Sequence, residues 1–227
     1  MSPRPLDPRI RIKIIDIAAR LLTNEGPQSL TTRRIAAEVD SSTMVVYTHF
    51  GSLAELVREM VHEGFARLQT HLTHVRQTDD PVADMALLGR AYRHNALANS
   101  HLYGVMFGGS TLGGFSLTED DRQYGRYTLS NVIECARRCA EAGRFRADDP
   151  ELVAHQMWSA IHGLITLELG DYLIAPYDAE RCFDAQLVGL MVGAGDALDA
   201  ATASVAASSR RYAGEVFAVR TPAEATG

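Results

Sequence analysis

The chain has 227 residues, of which 46% are hydrophobic, and a formal net charge of −6. This length and composition are those of an ordinary globular protein with a buried core, and the acidic charge argues against a protein that coats nucleic acid without sequence preference. No apolar run approaches the roughly 20 residues that a membrane-spanning helix needs, so no membrane partner is expected.

Apolar residues at helical spacing predict a chain built of helices, and no segment alternates with period two, so no sheet is expected. Clusters of Gly, Pro, Asp and Ser mark the breaks between the helices. Proline-rich residues 1–8 are expected to form a flexible arm, and residues 201–227 either form one more short helix near 210–219 or are disordered. The predicted helices cover about 9–23, 31–39, 43–49, 51–74, 81–99, 101–107, 119–143, 149–171 and 179–201.

The most informative stretch is LTTRRIAAEVDSSTMVVYTHF, from Leu30 to Phe50. Thr31 suits the N-cap of a first short helix, and a polar turn then leads to a second helix that Ser42 or Thr43 can cap. This is the layout of a helix-turn-helix, in which one helix enters the major groove of DNA and the other holds it there.

The charge distribution agrees with a DNA-binding end. Residues 1–60 contain eight basic and seven acidic side chains, a net of +1, whereas residues 61–227 have a net of −7. A locally basic end on an acidic body fits a protein that touches DNA with one end only. The three cysteines, an odd number without a signal peptide, predict a reduced cytoplasmic setting.

These residues resemble the TetR family of bacterial transcriptional regulators. The resemblance covers about residues 9–60 in register and rests on the segments AARLL (18–22), LTT (30–32), IA (35–36), VYTHFGS (46–52) and EL (55–56). A second segment, WSAIHGLITLE (158–168), is similar to the Trp-x-x-x-His-Gly helix of one C-terminal subgroup of that family.

The resemblance implies an all-α homodimer, each subunit having a three-helix DNA-binding head and a helical-bundle body for ligand binding and dimerisation. It therefore divides the chain into an arm (1–8), a helix-turn-helix domain (9–54), a ligand-binding and dimerisation domain (55–203) and a C-terminal tail (204–227).

The resemblance also implies which residues touch DNA. Hydroxyls, arginines and N–H groups at helix starts hydrogen-bond phosphates, whereas residues near the start of the recognition helix reach base edges. Met44 and Val45 can make apolar contacts there, for example with a thymine methyl group. The implied DNA-binding residues are Thr32, Arg33, Ser42, Thr43, Met44, Val45, Tyr47, His49 and Ser52.

Three positions depart from the pattern of many family members. Asp40 and Met44 stand where Gly is common, and Leu53 stands where Lys is common. Asp40 brings a negative charge towards DNA, and the loss of a lysine at position 53 predicts weaker anchoring to phosphate. These departures keep open a second interpretation, a helical ligand-binding or interaction protein with a weakened DNA head.

A body that acts as a switch needs a small-molecule site. Aromatic residues and methionines with a few polar groups are typical of such sites, so the expected effector is small and largely apolar, and no cofactor is expected. Packing in the core is the alternative for each candidate. The candidate ligand-binding residues are Tyr92, Met106, Phe107, Tyr124, Tyr127, Trp158 and His162, with Met85, Leu88 and Phe115 as further candidates and the glycine-rich loop 108–114 as a gate.

The body also needs a surface for a second copy of the chain. The predicted helices 149–171 and 179–201 are the candidates, because small residues interspersed with apolar ones let helices approach closely. Packing within the subunit is again the alternative. The candidate dimerisation residues are Phe183, Leu187, Leu190, Met191 and Ala194.

The sequence lacks the patterns of catalysis and of a resident metal. It has no nucleophile elbow, no dinucleotide fingerprint and no phosphate-loop ending. Cys135 and Cys139 share a helix face and are predicted to be buried, with metal binding or oxidant sensing as the alternative. The prediction is a regulator rather than an enzyme, most simply a repressor that a small effector releases from a palindromic double-stranded DNA operator; an activator stays open.

Overall fold

A computed structural model describes residues 7–107, 112, 114–146 and 149–219. All regular structure in this part of the chain is helical, which confirms the predicted all-α class. The helices are α1 (Pro8–Glu25), α2 (Thr32–Glu38), α3 (Met44–Phe50), α4 (Leu53–Thr73), α5 (Pro81–Ala98), α6 (Ser100–Met106), α7 (Glu119–Thr128), α8 (Ser130–Glu141), α9 (Pro150–Leu169), α10 (Ala179–Ala194) and α11 (Leu198–Tyr212).

The chain packs as two compact units. The head unit consists of the described parts of 7–67 and 99–125, and the body unit consists of those of 68–98 and 126–219. None of the described helices is long and apolar enough to cross a membrane.

The head unit is built on α1, which packs against α6 and α2. Asp7 caps α1 by accepting a hydrogen bond from the backbone N–H of Arg9 at 3.0 Å, and Pro8 occupies the first helical turn. Asp7 and Pro8 therefore belong to a helix and not to the predicted arm, whose residues 1–6 lie outside the described ones. Helical spacing predicts an inward stripe of Ile10, Ile14, Ile17, Ala18, Leu21 and Leu22. Four of these are buried, whereas Ile17 is half-buried and Ile10 is exposed, and Ile15 and Ala19 are buried in addition.

The body unit is arranged around α5, which packs against α8, α9 and α11. Fourteen of its 18 residues are buried, as expected for a helix enclosed on all sides. Gly89 allows this close packing, because a Cβ atom there would lie 2.9 Å from Cδ1 of Ile161 on α9.

Buried charges tie α5 to its neighbours in the body unit. The carboxylate of Asp84 accepts hydrogen bonds from Arg138 of α8 at 2.9 Å and from Arg211 of α11 at 2.7 Å. The backbone N–H and the hydroxyl of Thr78 also donate to it, each at 2.8 Å. This full set of partners offsets the cost of burying the charge.

Two predicted helices are each divided in the structure. The predicted helix 119–143 is interrupted at Leu129, whose N–H bonds back to Arg126 and whose C=O accepts from Val132, a tight local turn between α7 and α8. The predicted helix 179–201 ends instead at Ala194, because Gly195 takes a φ of +123°. A Cβ atom at Gly195 would lie 2.9 Å from the backbone nitrogen of Arg146, so both its conformation and its close contact require glycine.

The C-terminal segment is more ordered than the sequence suggests. The helix α11 crosses the predicted boundary at residue 203, and a wider helical turn, Ala213–Phe217, follows it. The residues of α11 that face the body core are small, which explains why their sequence pattern is weak. They are Ala201, Ser204, Val205 and Ser208.

Candidate nucleic-acid interface and effector site

The turn between α2 and α3 is fixed by local hydrogen bonds. Thr31 caps α2, as predicted, with its hydroxyl oxygen accepting from the N–H of Arg34 at 3.2 Å. After α2, Asp40 takes a φ of +52°, and the N–H of Ser41 donates to the carbonyl of Ala36 at 2.9 Å. A positive φ favours glycine and is tolerated by Asp, which accounts for the residue at this position.

The helix α3 has a buried face and an exposed face. Val46 and Phe50 are buried, whereas Met44 and Tyr47 are 61% and 49% exposed. Thr43 holds the N-cap position, but its side chain accepts no hydrogen bond there. Large apolar and aromatic side chains on the exposed face of a short helix are available to another molecule.

The nine predicted DNA-binding residues fall into three groups. Most are exposed around the turn and the start of α3, namely Arg33, Ser42, Thr43, Met44 and Tyr47. Thr32, Val45 and His49 are half-buried. Ser52 has a structural task, because its hydroxyl oxygen accepts from the N–H of Glu55 at 3.1 Å at the start of α4.

The two neighbouring arginines of α2 differ in their ion pairs. Arg34 pairs with Glu25 at 3.0 Å and lies 3.6 Å from Glu38, so its charge is partly balanced within the head unit. Arg33 is exposed and forms no ion pair with the described residues. Its charge is therefore the one available to an anionic partner.

A buried arginine that sequence patterns did not reveal joins three helices of the head unit. The Arg67 side chain, 5% exposed, contacts Asp16 of α1, Glu63 of α4 and Asn99 before α6 at 2.8–2.9 Å. Burial raises the pKa of Asp16, and the attraction of Arg67 opposes that rise. Glu63 and Arg67 are four residues apart on α4, whereas Asp16 and Asn99 are distant in the sequence and only the fold brings them to Arg67.

In the body unit, three of the predicted effector residues form one hydrogen-bonded cluster. The indole N–H of Trp158 donates to the hydroxyl of Tyr92 at 3.2 Å, and that hydroxyl lies 3.3 Å from Nδ1 of His162. Burial lowers the pKa of His162, so its ring is neutral at physiological pH and can donate and accept. The spacing in the sequence places Trp158 and His162 on one face of α9, and the fold brings Tyr92 of α5 into contact with both.

The remaining pocket candidates have separate environments. In the head unit, Met106 is buried against Gly64, Phe107 packs edge-on to Phe65, and the half-exposed Tyr124 stacks on His62. In the body unit, Tyr127 is 71% exposed and the buried Leu88 lines a cavity of about 50 Å³.

The further candidates for the effector site include two side chains and a loop. Met85 is buried on α5 and Phe115 is half-buried. The predicted gate, the loop 108–114, lies mostly outside the described residues.

Most of the predicted dimer face is core of the body unit. Phe183 is fully buried, with the guanidinium groups of Arg90 and Arg93 at 5.6 Å and 5.2 Å from its ring centre. Its prediction as a dimer contact is wrong, since its ring is covered within the subunit. The same correction applies to Leu187, Met191 and Ala194, which are buried, whereas Leu190 is partly accessible and stays a prediction.

Cys135 and Cys139 are both buried, as the preferred interpretation predicted. A hydrogen bond between the two thiols and burial raise the pKa of Cys135 well above its usual range, which disfavours the reactive thiolate. Among the described residues no cluster of three His, Cys, Asp or Glu side chains is arranged to hold a metal ion.

Comparisons with known proteins agree with this architecture. The family model "Bacterial regulatory proteins, tetR family" matches residues 14–60, and the model "Tetracyclin repressor-like, C-terminal domain" matches residues 85–190. The uncharacterized HTH-type transcriptional regulator Rv0681 of Mycobacterium tuberculosis is 26% identical over 186 residues, covering 81% of this chain and 80% of the relative.

Solved structures share the fold at low sequence identity. The TetR family regulator PfmR from Thermus thermophilus has a TM-score of 0.65 and 22% identity, covering 81% of this chain and 99% of its own. AibR in complex with isovaleryl coenzyme A and operator DNA has a TM-score of 0.61 and 16% identity, covering 81% of this chain and 98% of its own.

The head geometry and these matches define a helix-turn-helix transcriptional regulator. The chain belongs to the TetR family, whose two models together match its head and most of its body.

Proposed function

We propose that this regulator is a homodimeric repressor that binds a palindromic operator through α2 and α3 and leaves it when a small effector binds the body. The observation that supports the proposal is that α3 has two different faces: Val46 and Phe50 are buried in the head, whereas Met44 and Tyr47 are exposed. Arg33 of α2 is exposed as well and has no ion pair with the described residues. The two recognition helices of such a dimer would lie one DNA turn apart, about 34–36 Å.

The exposed residues suit different parts of a DNA site. Arg33 and the hydroxyls of Ser42 and Thr43 can bond phosphate oxygens, which sets the register of the head. Met44 and Tyr47 can reach base edges in the major groove, Met44 through apolar contact only. Asp40, exposed in the turn, opposes phosphate and limits affinity.

The operator is tested by selecting genomic fragments with the purified protein and measuring the affinity of the selected duplex by fluorescence anisotropy at several salt concentrations. Saturable binding that is much tighter than binding to a scrambled duplex, with a steep salt dependence, supports the proposal. Equal affinity for both duplexes would favour the second interpretation, a weakened DNA head on a ligand-binding protein. The position of the selected site relative to the promoter separates a repressor from an activator.

The dimer surface is proposed to be the exposed side of α9 and α10. Gly163, Gly189 and Gly193 are exposed there, and a Cβ atom at any of them would meet nothing within 4 Å in the subunit. Packing within the subunit therefore does not require glycine at these positions, whereas close approach of helices from a second copy does. Val192 and the partly accessible Leu190 add apolar area to this side.

A bulky residue at one of these glycines tests the surface. Gly189→Arg is expected to shift the protein from dimer to monomer in light scattering, with unchanged helix content. Gly214→Arg is the matched control, because Gly214 is equally open but lies in the turn after α11. Equal dimer fractions in both variants would contradict the proposed surface.

The effector is proposed to bind beside Tyr92, Trp158 and His162, with an apolar body and a polar group that bonds Tyr92 or His162. This hydrogen-bonded trio also supports placing the chain in the Trp-x-x-x-His-Gly subgroup. AibR, which shares the fold, is described with isovaleryl coenzyme A, so acyl coenzyme A esters are the first compounds to test.

The single tryptophan makes the effector test direct. Trp158 is the only tryptophan of the chain, so its fluorescence reports on this cluster alone. Titration with isovaleryl coenzyme A and longer acyl esters should change its emission and release the selected duplex at the same concentrations. His162→Gln should weaken both effects together; release without any change of fluorescence would place the effector elsewhere.

A further inference from the structure

We propose that Asp121 is a positioning residue for the DNA-binding head, because it holds the first half of α4, and with it α3, through His62. This inference rests on the proposed role of α3 in DNA binding. All the contacts that support it lie within the head unit.

The connection between α3 and α4 is short. Only Gly51 and Ser52 separate the two helices. The N–H of Gly51 closes α3 on the carbonyl of Tyr47 at 2.9 Å, and Ser52 caps α4. A contact that fixes the first turns of α4 therefore also fixes the direction in which α3 is presented.

Asp121 makes such a contact from the start of α7. Its Oδ1 lies 2.9 Å from Nε2 of His62, and its Oδ2 lies 3.9 Å from Nε of Arg58. Hydrogen bonds from Thr118 and His62 lower the pKa of Asp121 against the opposing effect of burial, so the carboxylate is ionised and accepts while the imidazole donates.

The same carboxylate caps its own helix. The backbone N–H and the hydroxyl of Thr118 both donate to Oδ2 of Asp121 at 2.7 Å, and the N–H of Asp121 returns to the Thr118 hydroxyl at 3.3 Å. This is a reciprocal capping box. One oxygen thus serves α7, and the other is directed at α4.

Three exposed capping aspartates have no such second contact among the described residues, whereas Asp80, which caps α5, also accepts hydrogen bonds from Ser204 of α11. Asp7, Asp149 and Asp178 each cap a helix from an exposed position, whereas Asp121 is 3% exposed. Capping alone does not require burial of the carboxylate. The burial of Asp121 follows from its contact with α4.

Two further contacts set the distance between α4 and α7. The ring of Tyr124 stacks on His62 with centroids 4.9 Å apart, and Gly125 lies against Phe65, where a Cβ atom would come within 2.6 Å of the ring. Residues 58, 62 and 65 share one face of α4. Stacking and close packing bring the helices together, and the Asp121 carboxylate adds the directed hydrogen bond.

The test compares variants that keep the cap of α7 and change only the tie to α4. His62→Phe keeps a ring for Tyr124 and removes the donor, whereas His62→Gln keeps a donor near Nε2. Asp121→Asn keeps the shape and the cap and removes the charge. Asp120→Asn is the matched control, since the exposed Asp120 lies in the same helical turn.

Affinity for the selected duplex is measured well below the unfolding midpoint of every variant. His62→Phe and Asp121→Asn are expected to bind about 10-fold more weakly than the unchanged protein, and the double variant no more weakly than either single one. His62→Gln and Asp120→Asn are expected to stay within about twofold. Unchanged affinity in His62→Phe, or losses that simply add in the double variant, would overturn the proposal.

Hydrogen exchange separates this inference from the proposed function. If the unchanged protein binds no DNA selectively, the proposed function fails. The positioning role then depends on exchange alone: faster exchange over 44–67 in Asp121→Asn but not in Asp120→Asn supports it, and equal exchange overturns it.

Discussion

The helix α3, which is proposed to read DNA, and the body helix α10 both carry apolar residues that were predicted to contact another molecule, but the structure places these residues differently. In α3, the residues predicted to act on another molecule, Met44 and Tyr47, are exposed. In α10, Phe183 and Leu187 were predicted to act in the same way and are core. The short helix α3 buries the one side that faces the neighbouring helices of the head, whereas a helix of a bundle can bury either side.

The largest expected effect tests the core assignment of α10. Phe183→Ala should lower the stability of the protein by about 3–5 kcal/mol, because it removes a fully buried ring and leaves Arg90 and Arg93 without it. Chemical denaturation followed by circular dichroism measures this loss. Val192→Ala, on an exposed position of the same helix, is the control and should cost less than about 1 kcal/mol. A Phe183→Ala protein of normal stability that no longer dimerises would restore the interface interpretation.

The next effect concerns the pH dependence of stability that a buried carboxylate of the body unit, Glu215, produces. Hydrogen bonds from Arg211 lower the pKa of Glu215 to about 2, with further hydrogen bonds from Arg76. A lowered folded pKa means that the stabilisation is complete above the unfolded value near 4.5 and is lost as the pH falls towards 2.

This stabilisation should be about 2–3 kcal/mol, and Glu215→Gln should flatten the decline of stability over that pH range. The exposed Glu141→Gln is the control. Parallel acid profiles for the unchanged protein and Glu215→Gln would contradict the assigned pKa.

A smaller effect tests the exposed face of the head. Arg33→Ala should weaken binding to the selected duplex and to a scrambled duplex alike, by about 1–2 kcal/mol, and should reduce the salt slope by about 1, because a phosphate contact carries no sequence information. Anisotropy titrations at several salt concentrations measure both. Arg34→Ala is the comparison, since Glu25 and Glu38 already engage that arginine, and its effect on affinity should be smaller. Loss of affinity for the selected duplex only would assign Arg33 to base reading.

The smallest effect concerns the turn. Asp40→Asn keeps a residue that tolerates a φ of +52° and removes a negative charge, so it should raise operator affinity about two- to fivefold through reduced repulsion of phosphate. Asp40→Ala should instead lower stability by about 1 kcal/mol, because alanine is strained at positive φ. If Asn and Ala gave the same affinity and stability, neither the charge nor the conformation of this residue would matter.

The sequence by itself determined the all-α class, the cap at Thr31 and most of the inward apolar residues of α1. These features depend on neighbours within a few positions along the chain, where periodicity and capping chemistry are informative. The family resemblance added the predicted DNA-binding residues, most of which are exposed around the turn as that role requires.

Only the tertiary structure decided the features that depend on distant residues. The side of α10 that is buried follows from the position of Arg90 and Arg93, and the end of α10 follows from the contact of Gly195 with Arg146. The helix α11 is hidden in the sequence because small side chains such as Ser204 and Ser208 pack closely without an apolar signature. The contact between Asp121 and His62 likewise depends on the fold alone, because the two residues are about 60 positions apart in the chain and no local spacing relates them.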